Sequence, residues 1–293
     1  MTDLPIVPLR DAATVLLVRD GLDGLEVFML RRNLKSDFVG GAYVFPGGAV
    51  DPDDRSAAPE QWCRGRTDPE ASTRLGVPAG GLAFWVAAIR ESFEESGYLL
   101  AYGPDGDLVS LTEPDVAERF VDHRRAVDGG QRSLVEVCET EDLRLAVDTM
   151  WYFGRWVTPE GAPRRYDTRF FLAAAPPHQT PVHDDREVIA NVWIRPAEAL
   201  ERQQAGEFSM LPPTIASLKA LLASTTAAEA LAAAAEVVDI PTMQPRVIMD
   251  DGGVRIVMPG DPEWDKGYQG DRSLGTWPSV DDRSARAAER DAR

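Results

Sequence analysis

The chain of 293 residues is poor in the side chains that build disulfide frameworks and zinc sites. It has two cysteines, Cys63 and Cys138, which lie far apart and form no Cys-x-x-Cys pair. Its three histidines, His123, His178 and His183, show no spacing typical of metal ligands. Neither disulfides nor zinc is therefore expected to organise the fold, and reduced thiols suit a cytoplasmic protein.

Basic side chains are scarce as well, with 31 lysines and arginines against 48 acidic residues and a formal net charge of −17. A broad surface for nucleic acid or for an anionic membrane needs clustered lysine and arginine, so neither partner is expected. An anionic small molecule would have to be bound locally, by a metal ion and a few arginines. We expect a small-molecule partner, and the sequence leaves a homodimer open.

Long apolar segments are missing where targeting or membrane sequences would carry them. The N-terminus has no basic region before an apolar run, so no signal peptide is predicted. The alanine-rich segment 219–238 contains Glu229 and Glu236, which favours a surface helix over a membrane span. The final residues are Arg-Asp-Ala-Arg293 rather than Ser-Lys-Leu, so a cytoplasmic location is expected over a peroxisomal one.

The most informative segment is 82–97, whose apolar residues recur with the period of an α-helix. Glu91, Glu94 and Glu95 occupy positions i, i+3 and i+4 and therefore share one small patch of the helix surface. Like charges at this spacing cost roughly a few tenths of a kcal/mol per pair. The patch needs either open solvent or a bound cation, and Gly97 supplies the helix stop.

A glycine-rich segment lies upstream at 40–48, where Pro46 stops a strand-like run and Gly47 and Gly48 follow. Residues without a Cβ let the backbone approach a ligand closely. Phe45-Pro-Gly-Gly48 followed by Arg90-Glu-Ser-Phe-Glu-Glu-Ser-Gly97 resembles the signature of the Nudix hydrolases, which reads Gly-x5-Glu-x7-Arg-Glu-U-x-Glu-Glu-x-Gly-U with U apolar.

The signature is split in this chain. Asp54 stands where the Nudix pattern has its first glutamate, and 35 residues separate it from Arg90 where the pattern has seven. An interrupted box is similar to the subgroup of nucleoside diphosphate-linked moiety X motif 19, which includes a coenzyme A diphosphatase of animal peroxisomes. The similarity extends to four further segments: Leu30-Arg-Arg32, Ala83-Phe84, Arg165-Tyr-Asp-Thr168 and Leu211-Pro-Pro213.

The resemblance implies an α/β fold, the Nudix α/β/α sandwich with a mixed sheet. The residue pattern agrees, because strand-like runs precede and follow the helix at 82–97. They lie at 12–18, 25–31, 150–158, 168–174 and 187–194, with helices at 196–204 and 213–222 and a late hairpin at 246–258. We predict a Nudix domain at 1–222, a helix and hairpin extension at 223–277 and a disordered tail at 278–293.

Two insertions interrupt this domain. The first, at 55–81, lies inside the box and has weak periodicity, with one short helix expected near 60–64. The second, at 112–149, has helical spacing, with Gly129 and Gly130 separating two helices. It forms either a lid over the site or a packing appendage without a chemical role.

The resemblance also implies a site for Mg²⁺ or Mn²⁺, ions that prefer oxygen ligands. The ligands that we predict are Glu91, Glu94, Glu95 and the carbonyl of Gly48. Arg90 would align these acids rather than contact the substrate. Asp51 and Asp54 could bind the ion through water, but acids after a turn are more often exposed.

The activity implied is metal-dependent hydrolysis of a diphosphate linkage, with coenzyme A or an acyl-CoA as the preferred substrate. The general base is either a box glutamate, Glu91 or Glu94, or the external Glu187, whose loop is otherwise explained as solvated acids. Arg31, Arg32 and Arg165 are candidates for substrate contacts. The alternatives are an ADP-ribose or NADH pyrophosphatase and a non-catalytic module that binds a nucleotide or a protein.

Overall fold

The computed structural model describes residues 7–33, 40–55, 59–181, 188–250 and 253–266. Its strands are β1 Leu9–Gly21, β2 Gly24–Arg32, β3 Tyr43–Val44, β4 Gly47–Ala49, β5 Ala101–Tyr102, β6 Arg144–Leu145, β7 Met150–Val157, β8 Arg165–Ala174, β9 Val188–Ile194, β10 Thr242–Met243, β11 Arg246–Asp250 and β12 Gly253–Val257. Its α-helices are α1 Pro59–Trp62, α2 Asp68–Leu75, α3 Leu82–Ser96, α4 Pro114–Asp128, α5 Leu134–Glu141, α6 Pro196–Gln204, α7 Pro212–Leu221 and α8 Ala227–Glu236.

The main sheet is mixed and has the order β10-β7-β8-β1-β2-β3, with β4 on β1 and β9 on β2. The long strands β1 and β8 run parallel over ten residue pairs, whereas β1 and β2 form the hairpin expected at the start of the chain. Only the end of β1 pairs with β2, because its first half pairs with β4. The short strand β4 is thereby placed at the centre of the fold.

Helices cover both faces of this sheet, as the α/β/α expectation requires. On β1, Val15 and Leu17 pack with α3, while Leu16 and Val18 pack with α6, α7 and α8. This alternation follows from the two-residue period of a strand buried on both faces. Within the described residues, no helix has the length and apolar composition that crossing a bilayer requires.

The first insertion contains more helix than the single short one expected near 60–64. It forms α1 and α2, and Thr67 and Glu70 make a capping box at the start of α2. Both carboxylate oxygens of Asp68 accept backbone N–H groups at the start of α3, from Leu82 at 2.9 Å and from Gly80 at 3.0 Å. The insertion thus caps the helix that carries the acidic patch.

The second insertion forms α4 and α5, and Gly129 follows the last residue of α4 as expected. Strands β5 and β6 pair across the two ends of this insertion. The late hairpin is present as β11 and β12, and α8 packs on the main sheet through Ala227, Ala230 and Ala234. The tail at 278–293 lies outside the described residues.

Candidate active site

The acidic patch lies on the C-terminal half of α3. This helix is almost wholly buried along its length, because Trp85, Val86, Ile89 and Phe93 pack into the core on the α3 side of the sheet. Gly97 ends the helix in the left-handed conformation, with φ of 78°, and donates its N–H to the Phe93 carbonyl at 3.0 Å. The final turns are therefore fixed in position, as a ligand-binding turn needs to be.

Arg90 connects the acids to one another. Its Nη1 donates to Glu91 Oε1 at 2.9 Å and to Glu94 Oε2 at 3.0 Å. Its Nε and Nη2 donate to Asp54, the former to Oδ1 and the latter to Oδ2, each at 3.0 Å, and Nη2 also donates to the Ala49 carbonyl at 2.7 Å. The planar guanidinium can serve several acceptors at once because its donors are fixed in a fork.

Asp54 and Asp51 behave differently from each other. The expectation of exposure is wrong for Asp54, which is 2% exposed and forms the buried counter-charge of Arg90. Asp51 is exposed as expected, with 56% of its side chain accessible, and its N–H donates to Asp54 Oδ2 at 2.8 Å. Asp54 thus fastens the turn after β4 to α3.

The glycine segment and the acidic patch meet in space although they are distant in the chain. The N–H of Gly47 donates to Glu95 Oε2 at 2.9 Å. A Cβ atom on Gly48 would lie 2.4 Å from Glu91 Oε1, so only glycine leaves room for that carboxylate. Gly47 and Gly48 are held there because β4 pairs with Thr14 and Ala13 of β1.

Burial dominates the electrostatics of these acids. It raises the pKa of Glu91 to about 7, with Glu94 adding to the rise and Arg90 opposing it. Burial likewise raises the pKa of Glu94 and of Asp54, again against the effect of Arg90. Burial alone would lower the pKa of Arg90, but Asp54 and Glu91 raise it above its usual value. The positive charge of Arg90 therefore does not fully offset the effect of burial on the pKa values of these carboxylates.

The stability of the metal-free protein should therefore depend on pH. Glu91 has a folded pKa near 7 against an unfolded value near 4.5, so the folded state binds more protons between these values. The contribution of protonated Glu91 to the free energy of unfolding is fully present below pH 4.5 and is lost as the pH rises through about 7. We expect the free energy of unfolding to fall by up to about 3 kcal/mol between pH 5 and pH 8.

Urea unfolding in the presence of a chelator measures this slope. Glu91→Gln should flatten it, and added Mg²⁺ should restore stability at pH 8, because a cation favours the ionised acids. An equal slope in Glu91→Gln and the unaltered chain would contradict the assignment.

A cleft of about 470 Å³ opens beside the acids. Its lining includes Gly47, Gly48, Arg90 and the three glutamates. The rest of the lining includes Thr14, Arg32, Asp128, Arg164, Tyr166 and Thr168. The cleft therefore combines a carboxylate cluster with two further arginines, which is the charge arrangement needed to hold a phosphate next to a cation.

The candidates for substrate contacts take different positions. Arg32 lines the cleft, whereas Arg31 lies over the Tyr43 ring at 5.9 Å and is not part of the lining. Arg165 is buried and directs its donors to the carbonyls of Thr158 and Val7, both at 3.3 Å. Glu187 lies outside the described residues.

The cleft residues of β8 were missed by sequence reasoning that stopped at Arg165. Successive strand residues point to opposite faces, so Tyr166 and Thr168 face the cleft, and Arg165 and Asp167 face the α3 side. Asp167 is bound there by Arg155 at 2.7 Å and by Arg169. The two-residue period applied to β8 would have identified the cleft side.

The donor set suits a hard divalent cation, because it consists of carboxylates and backbone oxygen. Within the described residues, no three acidic, histidine or cysteine side chains already stand in the arrangement of an ion site. Glu91 and Glu94 are directed to Arg90, and Glu95 to the N–H of Gly47. The close approach at Gly48 and the excess of carboxylate over guanidinium nevertheless fit such an ion.

A family model supports the same conclusion. The model of the NUDT19 Nudix domain matches residues 66–221, which is more than half of the chain. The chain belongs to this Nudix family. The match contains α3 with Glu91, Glu94 and Glu95, so the acidic patch is the second half of a Nudix box.

Individual relatives agree with the family. The acyl-coenzyme A diphosphatase NUDT19 of Gallus gallus is 31% identical over 253 residues, covering 70% of this chain and 65% of that protein. The Homo sapiens protein of the same name is 29% identical and is covered over 61% of its length. The chain therefore spans slightly less than two thirds of these relatives.

A solved structure confirms the Nudix fold. A NUDIX hydrolase from Alicyclobacillus acidocaldarius superimposes with a TM-score of 0.63 at 29% identity, covering 80% of this chain and 99% of that one. The mixed sheet with helices on both faces is thus the Nudix sandwich. In this chain α1 and α2 lie between the two halves of the box.

Gly48→Ala should impair the Nudix site without unfolding the protein. The new Cβ would displace the Glu91 carboxylate, which is the mobile end of a flexible side chain, so the protein should stay folded. Glu91 is a predicted ligand of the ion, and a shift of about 1 Å in a group of the reacting site can cost on the order of a hundredfold in rate, so the prediction implies a loss of that size.

Gly47→Ala is the matched contrast. Its Cβ would lie 2.5 Å from the Ala13 carbonyl oxygen and 2.7 Å from Thr14 Cα, both backbone atoms of β1, so this variant should lose stability. Thermal unfolding and turnover of both proteins test the pair. Wild-type turnover by folded Gly48→Ala would contradict the proximity of Gly48 and Glu91.

Proposed function

We propose that this protein hydrolyses the diphosphate linkage of coenzyme A or an acyl-CoA with the help of Mg²⁺ or Mn²⁺. The observation that carries the proposal is the meeting of Gly47 and Gly48 with Glu91 and Glu95 in a cleft that also contains Arg32 and Arg164. The choice of substrate rests on the acyl-CoA diphosphatases to which the chain is similar.

Carboxylates and arginines divide the work at this site. Glu91, Glu94, Glu95 and the carbonyl of Gly48 would hold the ion, which when bound neutralises the diphosphate and stabilises the leaving phosphate. Arg90 keeps Glu91 and Glu94 oriented through its two hydrogen bonds from Nη1. Arg32 and Arg164, which also line the cleft, would seat the phosphate oxygens.

A base must remove a proton from the attacking water. Glu94 and Glu91 are the candidates within the described part of the cleft, and Glu187 is the external one. Cleavage adds the elements of water across the P–O–P linkage and yields adenosine 3′,5′-bisphosphate and a phosphopantetheine, acylated when the substrate is an acyl-CoA. The cytoplasmic location and the lack of nucleic-acid or membrane partners stay predictions of the sequence, which leaves a homodimer open.

A substrate panel tests the proposal. The protein is incubated with Mg²⁺ or Mn²⁺ and with CoA, an acyl-CoA, NADH, ADP-ribose or a dinucleoside polyphosphate, and products are separated by chromatography. We expect CoA or acyl-CoA to be cut at the highest kcat/KM, and a chelator to stop the reaction. Turnover of NADH or ADP-ribose without any of CoA would replace the substrate, and no turnover of any member would favour a binding module.

A further inference from the structure

Helix α4 of the second insertion packs directly against the glutamate-bearing helix α3. Its inward face consists of buried residues at helical spacing: Phe120, His123, Arg124 and Val127. Burial of His123 and Arg124 among apolar neighbours is costly unless their polar groups are bonded. What these two side chains contact therefore indicates why α4 lies where it does.

Arg124 is bound to the backbone of the Nudix helix. It is only 7% exposed, and its Nε donates to the Glu94 carbonyl at 2.8 Å and to the Phe93 carbonyl at 3.1 Å. Both carbonyls belong to the last turn of α3, where C=O groups run out of partners within the helix; the Phe93 carbonyl also accepts the N–H of Gly97 at 3.0 Å. A buried guanidinium from another element thus closes the helix end that carries Glu94 and Glu95.

The charge of Arg124 suits this position. The C-terminal end of a helix carries a partial negative charge, and α3 adds Glu91, Glu94 and Glu95 close to that end. Arg90 binds the carboxylate groups of Glu91 and Glu94, whereas Arg124 binds the main chain beneath them. The two arginines therefore fix different parts of one turn.

Helix α4 is itself held in place by side-chain contacts, which keep Arg124 next to α3. His123 contacts Glu141 Oε1 through Nε2 at 2.8 Å and accepts from Arg132 Nη1 at Nδ1 at 2.9 Å. Arg119 makes a two-point contact with Glu141, at 2.7 and 3.0 Å. These contacts join α4 to the segment that ends with α5.

One turn beyond Arg124, the same helix reaches the cleft. Asp128 follows Arg124 at i+4 and lies in the cleft lining together with Glu94 and Glu95. Helix α4 therefore contributes to the site at two levels, through the backbone of α3 and through the cleft wall. This placement distinguishes it from an appendage packed elsewhere on the surface.

We propose that Arg124 is a positioning residue of the Nudix site. It holds the last turn of α3 so that Glu94 and Glu95 present their carboxylates to one divalent ion, and the second insertion supplies this contact. The proposal rests on the proposed function, since it assumes that these carboxylates bind the ion. It assigns to the insertion a role that neither a lid nor a packing appendage describes.

The test compares three full-length variants with the unaltered chain. Arg124→Met keeps the length of the apolar stem and removes the donors, and Arg124→Lys keeps the charge with a single-point donor. Arg125→Met is the matched control, because Arg125 is the next residue of α4, its side chain is 74% exposed, and it pairs with the exposed Asp122 at 3.3 Å. The dissociation constant for Mn²⁺ is measured by calorimetry without substrate, and amide exchange is followed by mass spectrometry over residues 90–98.

We expect Arg124→Met to weaken Mn²⁺ binding by about tenfold, the lower end of the effect of removing a residue that orients metal ligands. Amide exchange of the last turn of α3 should accelerate in the same variant. Arg124→Lys should lie between, and Arg125→Met should match the unaltered chain in both measurements. If Arg124→Met does not fold, Arg124→Lys decides: weaker Mn²⁺ binding and faster amide exchange than in Arg125→Met support the proposal, and values equal to those of Arg125→Met overturn it.

Two results would overturn the proposal. Folded Arg124→Met with an unchanged dissociation constant for Mn²⁺ would leave Arg124 with a purely structural role, even if the melting temperature fell. Unchanged amide exchange over 90–98 would show that the turn does not depend on it. Failure of the unaltered chain to bind Mn²⁺ is a different outcome, since it removes the proposed function, while the exchange measurement still decides whether Arg124 orders the turn.

Discussion

Glu94→Gln should reduce turnover of the proposed substrate by roughly 10² to 10⁴-fold while leaving the protein folded. The loss has this size because Glu94 would bind the ion or take the proton, and general-base catalysis alone contributes that range. Glutamine keeps an oxygen that can still accept from Arg90 Nη1, now at 3.0 Å from Glu94. The contact within the site therefore survives, and only the charge and the basicity are lost.

The measurement is kcat and KM with saturating Mg²⁺, together with the melting temperature. Glu118→Gln is the control, since Glu118 is exposed on α4 and does not line the cleft. A fall in kcat with little change in KM would assign Glu94 to the transition state. Full activity in both Glu94→Gln and Glu95→Gln would show that the carboxylates do not form the ion site.

Asp54→Asn should lower the free energy of unfolding by about 3 kcal/mol, the lower end of the effect of breaking a buried ion pair. Asp54 is 2% exposed and receives hydrogen bonds from two nitrogens of Arg90. Burial raises the pKa of Asp54 despite Arg90, so the pair itself adds little net stability. The loss arises because Arg90 stays buried without this counter-charge, with Glu91, Glu94 and the more distant, exposed Asp51 at 3.7 Å as its remaining acidic partners.

For a chain of this size, 3 kcal/mol corresponds to a fall in melting temperature on the order of 6 to 12 °C. Activity should fall as well, because Asp54 also accepts the N–H of Asp51 and so holds the turn after β4. The neighbouring Asp53→Asn serves as control, since Asp53 is exposed. Equal melting temperatures of the two variants would contradict the role of Asp54 as the buried partner of Arg90.

Local spacing predicted the helix with its acidic patch, and the resemblance to the Nudix signature implied that the glycine segment lies beside it. The three glutamates, Arg90 and the glycine segment are short-range patterns, and the structure brings Gly47 and Gly48 to Glu95 and Glu91. The resemblance also implied the mixed sheet with helices on both faces, and the order of strand and helix patterns agrees with it. The individual helices and strands depend on neighbours in the chain and on the periods of helix and strand.

The remaining features depend on contacts between distant segments. Nothing near Asp54 in the sequence reveals that its side chain turns inward to Arg90, since 35 residues separate the two. The contact of Arg124 with Glu94 spans 30 residues and is equally invisible in the local sequence. On β8, by contrast, the strand period was available, and it would have selected Tyr166 and Thr168 for the cleft.

The two insertions bind α3 at opposite ends. Asp68 accepts its first amide groups, and Arg124 donates to its final carbonyls. Each of these side chains carries the charge that offsets the helix dipole at its own end. Both ends of the helix are thus hydrogen-bonded to side chains of other elements. Length changes among relatives should consequently lie in the outer parts of both insertions and leave the positions of Asp68 and Arg124 unchanged. Shortening either insertion should reduce hydrolysis before it destabilises the sheet.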